Sequence, residues 1–201
     1  MSLDTNKISA INTFFKIEDL EGRTVVRVTK DPMVIAVDEP TFAKIAGRGF
    51  LNGTIQAQVK SKLLMDAPDY ARGFIGIAFR INPDNSEFEC IYIRPTNGRA
   101  EDQNRRNAST QYFSYPEFKY DRLRKEAPGR YESYTDMGLD EWIDMRIEVH
   151  ADQAKLFLHG NARPSLVVND LKHGGGTAGG IGLWVDIGTD GLFADVKVNY
   201  S

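Results

Sequence analysis

The feature that most restricts the fold is an alternation of apolar and polar residues that recurs from residue 53 onward. In "WIDMRIEV", Ile143, Met145, Ile147 and Val149 fall on one side and Asp144, Arg146 and Glu148 on the other. A strand sends successive side chains to opposite faces, so this period of two describes a half-buried strand. "TIQAQVK" repeats it, with Ile55, Ala57 and Val59 opposite Gln56, Gln58 and Lys60. "FIGIAFRI" sets Ile75, Ile77, Phe79 and Ile81 against Phe74, Gly76, Ala78 and Arg80. "AKLFLHG", "PSLVV", "GGIGLWVDI" and "LFADVKV" follow, divided by short Gly, Asn, Asp or Pro turns. Upstream, "RTVVRVT" and "MVIAV" add two expected strands. Only "PTFAKIAG" reads as a helical turn, with Pro40 near its start and Gly47 beyond its end. Many short strands separated by turns predict an all-β sandwich of two antiparallel sheets. Ile75, Ile77, Phe79, Ile143, Met145, Ile147, Leu183 and Val185 are the expected core between them.

The 201 residues suffice for one domain with a substantial core, and no Ser- or Pro-rich linker divides them. A single domain over 1–201 is expected, its N-terminal strands joining the same sandwich. Hydrophobic residues make up 41% and charged residues 26%, the balance of a globular chain. A net charge of -3 offers no long-range attraction to nucleic acid or an anionic membrane. The one basic cluster, Arg122, Arg124, Lys125 and Arg130, is interleaved with Glu117, Asp121, Glu126 and Glu132. No nucleic-acid partner is therefore expected, and no apolar run is long enough to span a bilayer. Cys90 is the only cysteine and His150, His159 and His173 are scattered, so neither a disulfide framework nor a metal or cofactor motif emerges. "HGGGTAGG" lacks the Gly-Lys-Ser/Thr ending of a phosphate loop and precedes a strand pattern, so it reads as a turn. "MSLDTNKISAINTFF" holds no apolar stretch of signal-peptide length. The expected compartment is cytoplasmic, or periplasmic or extracellular had a signal peptide been removed. Oligomeric state leaves no mark in the sequence.

Residues 95–141 interrupt the strands with a segment too polar for core and rich in rings: Tyr112, Phe113, Tyr115, Phe118, Tyr120, Tyr131 and Tyr134. "RRNASTQY" supplies Arg105, Arg106, Asn107 and Gln111 just before and among them. Long connections of this kind carry function or small elements of their own. Rings beside amides and guanidinium groups suit a sugar, which presents flat apolar faces and a fringe of hydroxyls. "SEFECIYIRP" lies immediately upstream. If its Ile91 and Ile93 face the core, Tyr92 and Arg94 face solvent or a cleft, and Glu89 points inward. Glu87 and Glu89 would stand ~7 Å apart on such a strand, within the ~5–10 Å range of paired glycosidase carboxylates. Trp184, two residues before Asp186 on the non-core side of its strand, is a candidate sugar platform.

The ordered series "FLNGTIQAQV", "ARGFIGIAFRI", "SEFECIYIRP", "EWIDMRIEVHADQAKLFLHG", "PSLVVNDLK" and "GGIGLWVDIGTDGLFADVKV" resembles the concanavalin A-like lectin/glucanase superfamily. Within it, the likeness is to bacterial laminin-G-like and 3-keto-disaccharide hydrolase-type domains, over about residues 49–200. The resemblance implies a jelly roll with any ligand in its concave face or across the rim loops. The E-x-D-x-x-E signature of the superfamily's classical glucanases is missing, since Glu87-Phe88-Glu89 has no third acid three residues on. Three readings follow. The first is a carbohydrate-binding jelly roll using Tyr92, Arg94, Arg106, Asn107, Gln111, Tyr112 and Trp184. The second is a sugar-active hydrolase with Glu89 or Glu87 as acid/base. The third is a non-catalytic structural interaction module.

Overall fold

The computed structural model describes residues 7–201, which form two seven-stranded antiparallel sheets. The front sheet runs, in spatial order and numbered along the chain, β1 (Ile8–Ile11), β4 (Phe42–Phe50), β13 (Gly179–Val185), β6 (Ile75–Ile81), β7 (Phe88–Ile93), β8 (Thr110–Tyr115) and β9 (Glu132–Ser133). The back sheet runs β12 (Leu166–Val168), β11 (Gln153–Leu158), β10 (Ile143–His150), β5 (Gly53–Leu63), β14 (Thr189–Tyr200), β3 (Arg23–Lys30) and β2 (Thr13–Leu20). This is an all-β jelly-roll sandwich. Among the described residues, no helix is long and apolar enough to cross a membrane.

The alternation predicts the interior faithfully. Ile75, Ile77, Phe79, Ile143, Met145, Ile147, Leu183 and Val185 are all buried. Register explains how they meet: Ile147 lies opposite Ile55 and Leu156, while Leu183 lies opposite Ile77 and Ala43. The two layers touch where Gly191 of β14 faces Val185 and Ile75, and a Cβ there would stand 2.6 Å from Val185 Cγ1.

Two local expectations are corrected. "MVIAV" is no strand: residues 33–37 belong to the connection between β3 and β4. A turn begins it, with Val34 N–H donating to Asp31 C=O and Met33 N–H to the Asp31 carboxylate. Asp38, in a left-handed conformation at φ 51°, prevents extension beyond it. Conversely, "PTFAKIAG" is no helical turn, because Phe42 onward forms β4 between β1 and β13. Pairing on both sides overrides the local helix signal. The 95–141 segment carries elements of its own: α1 (Pro95–Gly98), α2 (Gln103–Arg106), β8, α3 (Tyr120–Glu126) and β9.

Candidate functional site

Strand β7 is buried on both sides. Ile91 and Ile93 pair with Ile77 and Ile75, so they share the face turned toward the back sheet, and Glu89 shares it by alternation. Phe88, Cys90 and Tyr92 project from the outer face, where β8 adds Gln111, Phe113 and Tyr115 and β13 adds Trp184. The rings there form one cluster. Tyr92 lies 4.8 Å from Trp184, 5.9 Å from Phe113 and 6.1 Å from Phe74 between ring centroids. Gly182 permits the adjoining Phe42 ring, since a Cβ there would approach Phe42 Cγ to 2.8 Å.

This outer face is covered rather than solvated. The 31–41 connection lies against it, with Glu39 C=O accepting from Trp184 Nε1 at 2.9 Å. Lys119, just before α3, donates to Val37 C=O and pairs with the Glu39 carboxylate, joining the two covering segments. Beside this cover a cavity of about 620 Å³ remains, within the usual size range for small-ligand sites. Val37 and Asp38 come from the connection, Tyr92 and Arg94 from β7 and its end, and Tyr120 and Arg124 from α3. Tyr70, Arg72 and Phe74 approach along the segment before β6, and Asn97, Arg105 and Asn107 from the α1–α2 region.

Each polar wall is held in place. Arg94 Nη1 donates to Ala108 C=O, and its Nη2 to the Tyr92 hydroxyl at 2.7 Å and to Gln111 Oε1 at 3.2 Å. Its guanidinium also lies 5.6 Å from the Tyr120 ring centroid, and that of Arg124 5.2 Å from the same ring. Arg105 donates to Asn97 Oδ1, whose amide in turn donates to Ala108 C=O. At the inner end, Asp186 pairs with buried Lys30 and accepts from Asp38 N–H at 2.9 Å. The Asp38 carboxyl accepts from Tyr120 N–H at 2.8 Å. Burial, and then the charge of Asp186, raises its pKa from 3.8 to about 7 against the opposing pull of Tyr120 N–H, Arg94 and Lys119. A carboxyl so placed can hold or release a proton near neutrality.

Among the residues singled out from sequence, the structure brings Tyr92, Arg94 and Asn107 to the cavity wall. Gln111 stands behind it, holding Arg94 and donating to Tyr112 C=O. Trp184 supports the floor under the 31–41 cover, and Arg106 is spent on Ala100 C=O and Glu101 C=O. Tyr112 and Glu89 are on the opposite side of the sheet. There the Tyr112 hydroxyl donates to Glu89 at 2.7 Å, and His173 N–H donates to its other oxygen at 2.9 Å. Arg80 lies within electrostatic reach of that carboxylate, so Glu89 ties β7 to the 172–173 turn. Glu87 is exposed in the β6–β7 turn, outside the strand. Neither glutamate reaches the cavity, because strand parity turns Glu89 away and Glu87 sits in the turn before β7 begins. Sequence reasoning missed Asp38, Tyr70, Arg72 and Tyr120 as a set. They come from three distant segments, and only the pairing of the sheets assembles them.

No protein-family model matches the chain, and no curated protein matches it in sequence. Solved structures do match its fold. A candidate glycosyl hydrolase from Parabacteroides distasonis superposes with a TM-score of 0.57 at 12% identity, covering 99% of this chain and 90% of that one. The carbohydrate binding module CBM66 from Bacillus subtilis gives 0.55 at 12% identity, covering 94% and 93%. Domain 4 of AbnA, a GH43 extracellular arabinanase from Geobacillus stearothermophilus solved with arabinotriose, gives 0.50 at 11% identity, covering 92% and 74%. At these identities the likeness is one of fold.

Proposed function

We propose that this chain binds carbohydrate in the cavity beside Tyr92 and Arg94. The observation that carries the reading is the composition of that cavity: Tyr70 and Tyr120 offer rings, Arg94, Arg105 and Asn97 offer planar donors held by hydrogen bonds, and Asn107 adds an amide. Sugars are recognised by this pairing of stacking surface with in-plane hydrogen bonds. Neighbours of the same fold that include a carbohydrate binding module and a domain solved with arabinotriose support it. Titration calorimetry against a panel of oligosaccharides tests it, with Tyr70→Ala and Tyr120→Ala as variants. Each should weaken binding by about 1 kcal/mol, roughly fivefold, on loss of a ring contact. Unchanged affinity in both variants would move the site elsewhere, and no binding by wild type would remove the reading.

One observation favours hydrolysis as a second reading. Asp38 is a cavity carboxyl held near neutrality, as a proton donor to a glycosidic oxygen needs to be. Asp186 is committed to Lys30, so Asp38 would act as the acid. Turnover of aryl glycosides by wild type and its loss in Asp38→Asn would establish an enzyme. Binding without turnover in either would establish a lectin-like module.

A further inference from the structure

We infer that the sugar taken by this cavity is anionic, a uronate or a sulfated residue whose charge is met by Arg72, Arg94 and Arg105. This rests on the reading of the cavity as a carbohydrate site. The starting point is an imbalance of charge among its walls. Of the carboxylates that line it, Glu132 is bound to Arg124 at 2.6 Å and Asp186 to Lys30. Asp38 is the remaining one, set against three guanidinium groups. Among the described residues, Arg72, Arg94 and Arg105 have no carboxylate within ion-pair distance. Elsewhere among the described residues, Arg23, Arg27, Arg99, Arg122, Arg130 and Arg146 each meet one, while Arg48, Arg80, Arg106 and Arg163 do not. What sets Arg72, Arg94 and Arg105 apart is that three such cations share one cavity.

Nothing in the hydrogen bonding of the three consumes their capacity. Arg72 donates through Nη1 to the carbonyls of Asp69 and Ala71. Arg105 donates only to Asn97 Oδ1, and Arg94 makes three bonds. A guanidinium carries five N–H donors, so each keeps some for a ligand. The cations also oppose one another: burial, then Arg105 and then Arg94, lowers the pKa of Arg72. Like charges collected in a concave, partly desolvated site raise the affinity for a counter-charge. The planar fork of arginine suits the paired oxygens of a carboxylate or sulfate. The flanking tyrosines select a ring-bearing anion over a bare ion, and the volume admits one to a few sugar residues rather than a polymer groove.

The test uses matched pairs. Trisaccharides of glucuronate, galacturonate and mannuronate are titrated beside their carboxyl-reduced counterparts, and sulfated galactose trisaccharides beside their desulfated forms. Wild type should bind at least one charged member about tenfold or more tightly than its neutral match, the gain of a charge-assisted contact. That preference should shrink as salt rises. The arm that shows it identifies the anion. Arg72→Gln and Arg105→Gln, checked by unchanged thermal unfolding, should each reduce the charged member's affinity several-fold more than that of its neutral match. Equal affinity across every pair overturns the inference and leaves the sugar site standing. Binding of neutral members alone does the same. Failure of all members to bind removes both. A variant that weakens charged and neutral ligands alike would also overturn it, because the arginine would then be shaping the wall rather than meeting the anion.

Discussion

Strands β10 and β7 are both antiparallel and both interior to their sheets, yet they bury their residues differently. In β10, Ile143, Met145, Ile147 and Val149 are buried and the side chains between them reach solvent or lie partly open. In β7, all six residues are buried. An antiparallel sheet ordinarily leaves one face to water, so burial on both faces means that something else lies on top. On β10 the outer face is finished by Asp144, Arg146 and Glu148. In the front sheet it is finished by rings and then by the 31–41 connection and α3. The place where that cover stops short is where the cavity opens. Two-sided burial within an antiparallel sheet therefore marks a cover, and the cavity lies at that cover's edge.

Substitution tests whether the covered outer face behaves as a second core. Trp184→Ala, on the covered outer face, should cost ~3–5 kcal/mol in denaturant unfolding, as expected for a buried aromatic. A cost under about 1 kcal/mol would show that the outer face is no second core. Ile147→Ala, between the sheets, should cost ~2–5 kcal/mol; a smaller cost than for Trp184→Ala would rank the covered face at least equal to the inner one. The next effect is a pH dependence. Because the Asp38 pKa rises from 3.8 to about 7 on folding, the folded chain keeps a proton that the unfolded chain releases. Stability should fall as pH rises from about 4 to about 7 and level off above, by on the order of 2 kcal/mol between pH 5 and 8. Asp38→Asn should flatten that decline, and an identical slope in the variant would refute the assignment. Smallest of all, His150→Ser, at an exposed end of β10, should stay within about 0.5 kcal/mol of wild type.

The same contrast explains what could be read in advance. Period-two patterning is a local signal, and Ile55, Ile143 and Ile147 declare their facing through neighbours two positions away. Tyr92 and Arg94 could be placed on the cleft side by parity, once Ile91 and Ile93 were taken as core. What parity could not supply was the cover. Nothing near Trp184 indicates that Glu39, 145 residues away, will accept its indole N–H. Glu89 was legible as an inward acid needing partners, but Tyr112 and His173 N–H are brought to it by β8 and a distant turn. The guanidinium groups of Arg72, Arg94 and Arg105 likewise share a cavity only after β6, β7 and the α1–α2 region are laid side by side.

The cover has one more consequence. It is the chain's own passage from β3 in the back sheet to β4 in the front sheet, anchored at both ends by strands and along its length by Lys30, Lys119 and Trp184. Such a passage cannot swing aside without breaking these bonds, so the recess beneath its edge is shaped before any guest arrives. A guest then has little to freeze in this connection, which lowers the entropic cost of association. Association should follow a single exponential with no slow gating phase, at an ordinary on-rate of about 10⁵–10⁷ M⁻¹s⁻¹. Discrimination among guests would then be written in their residence times.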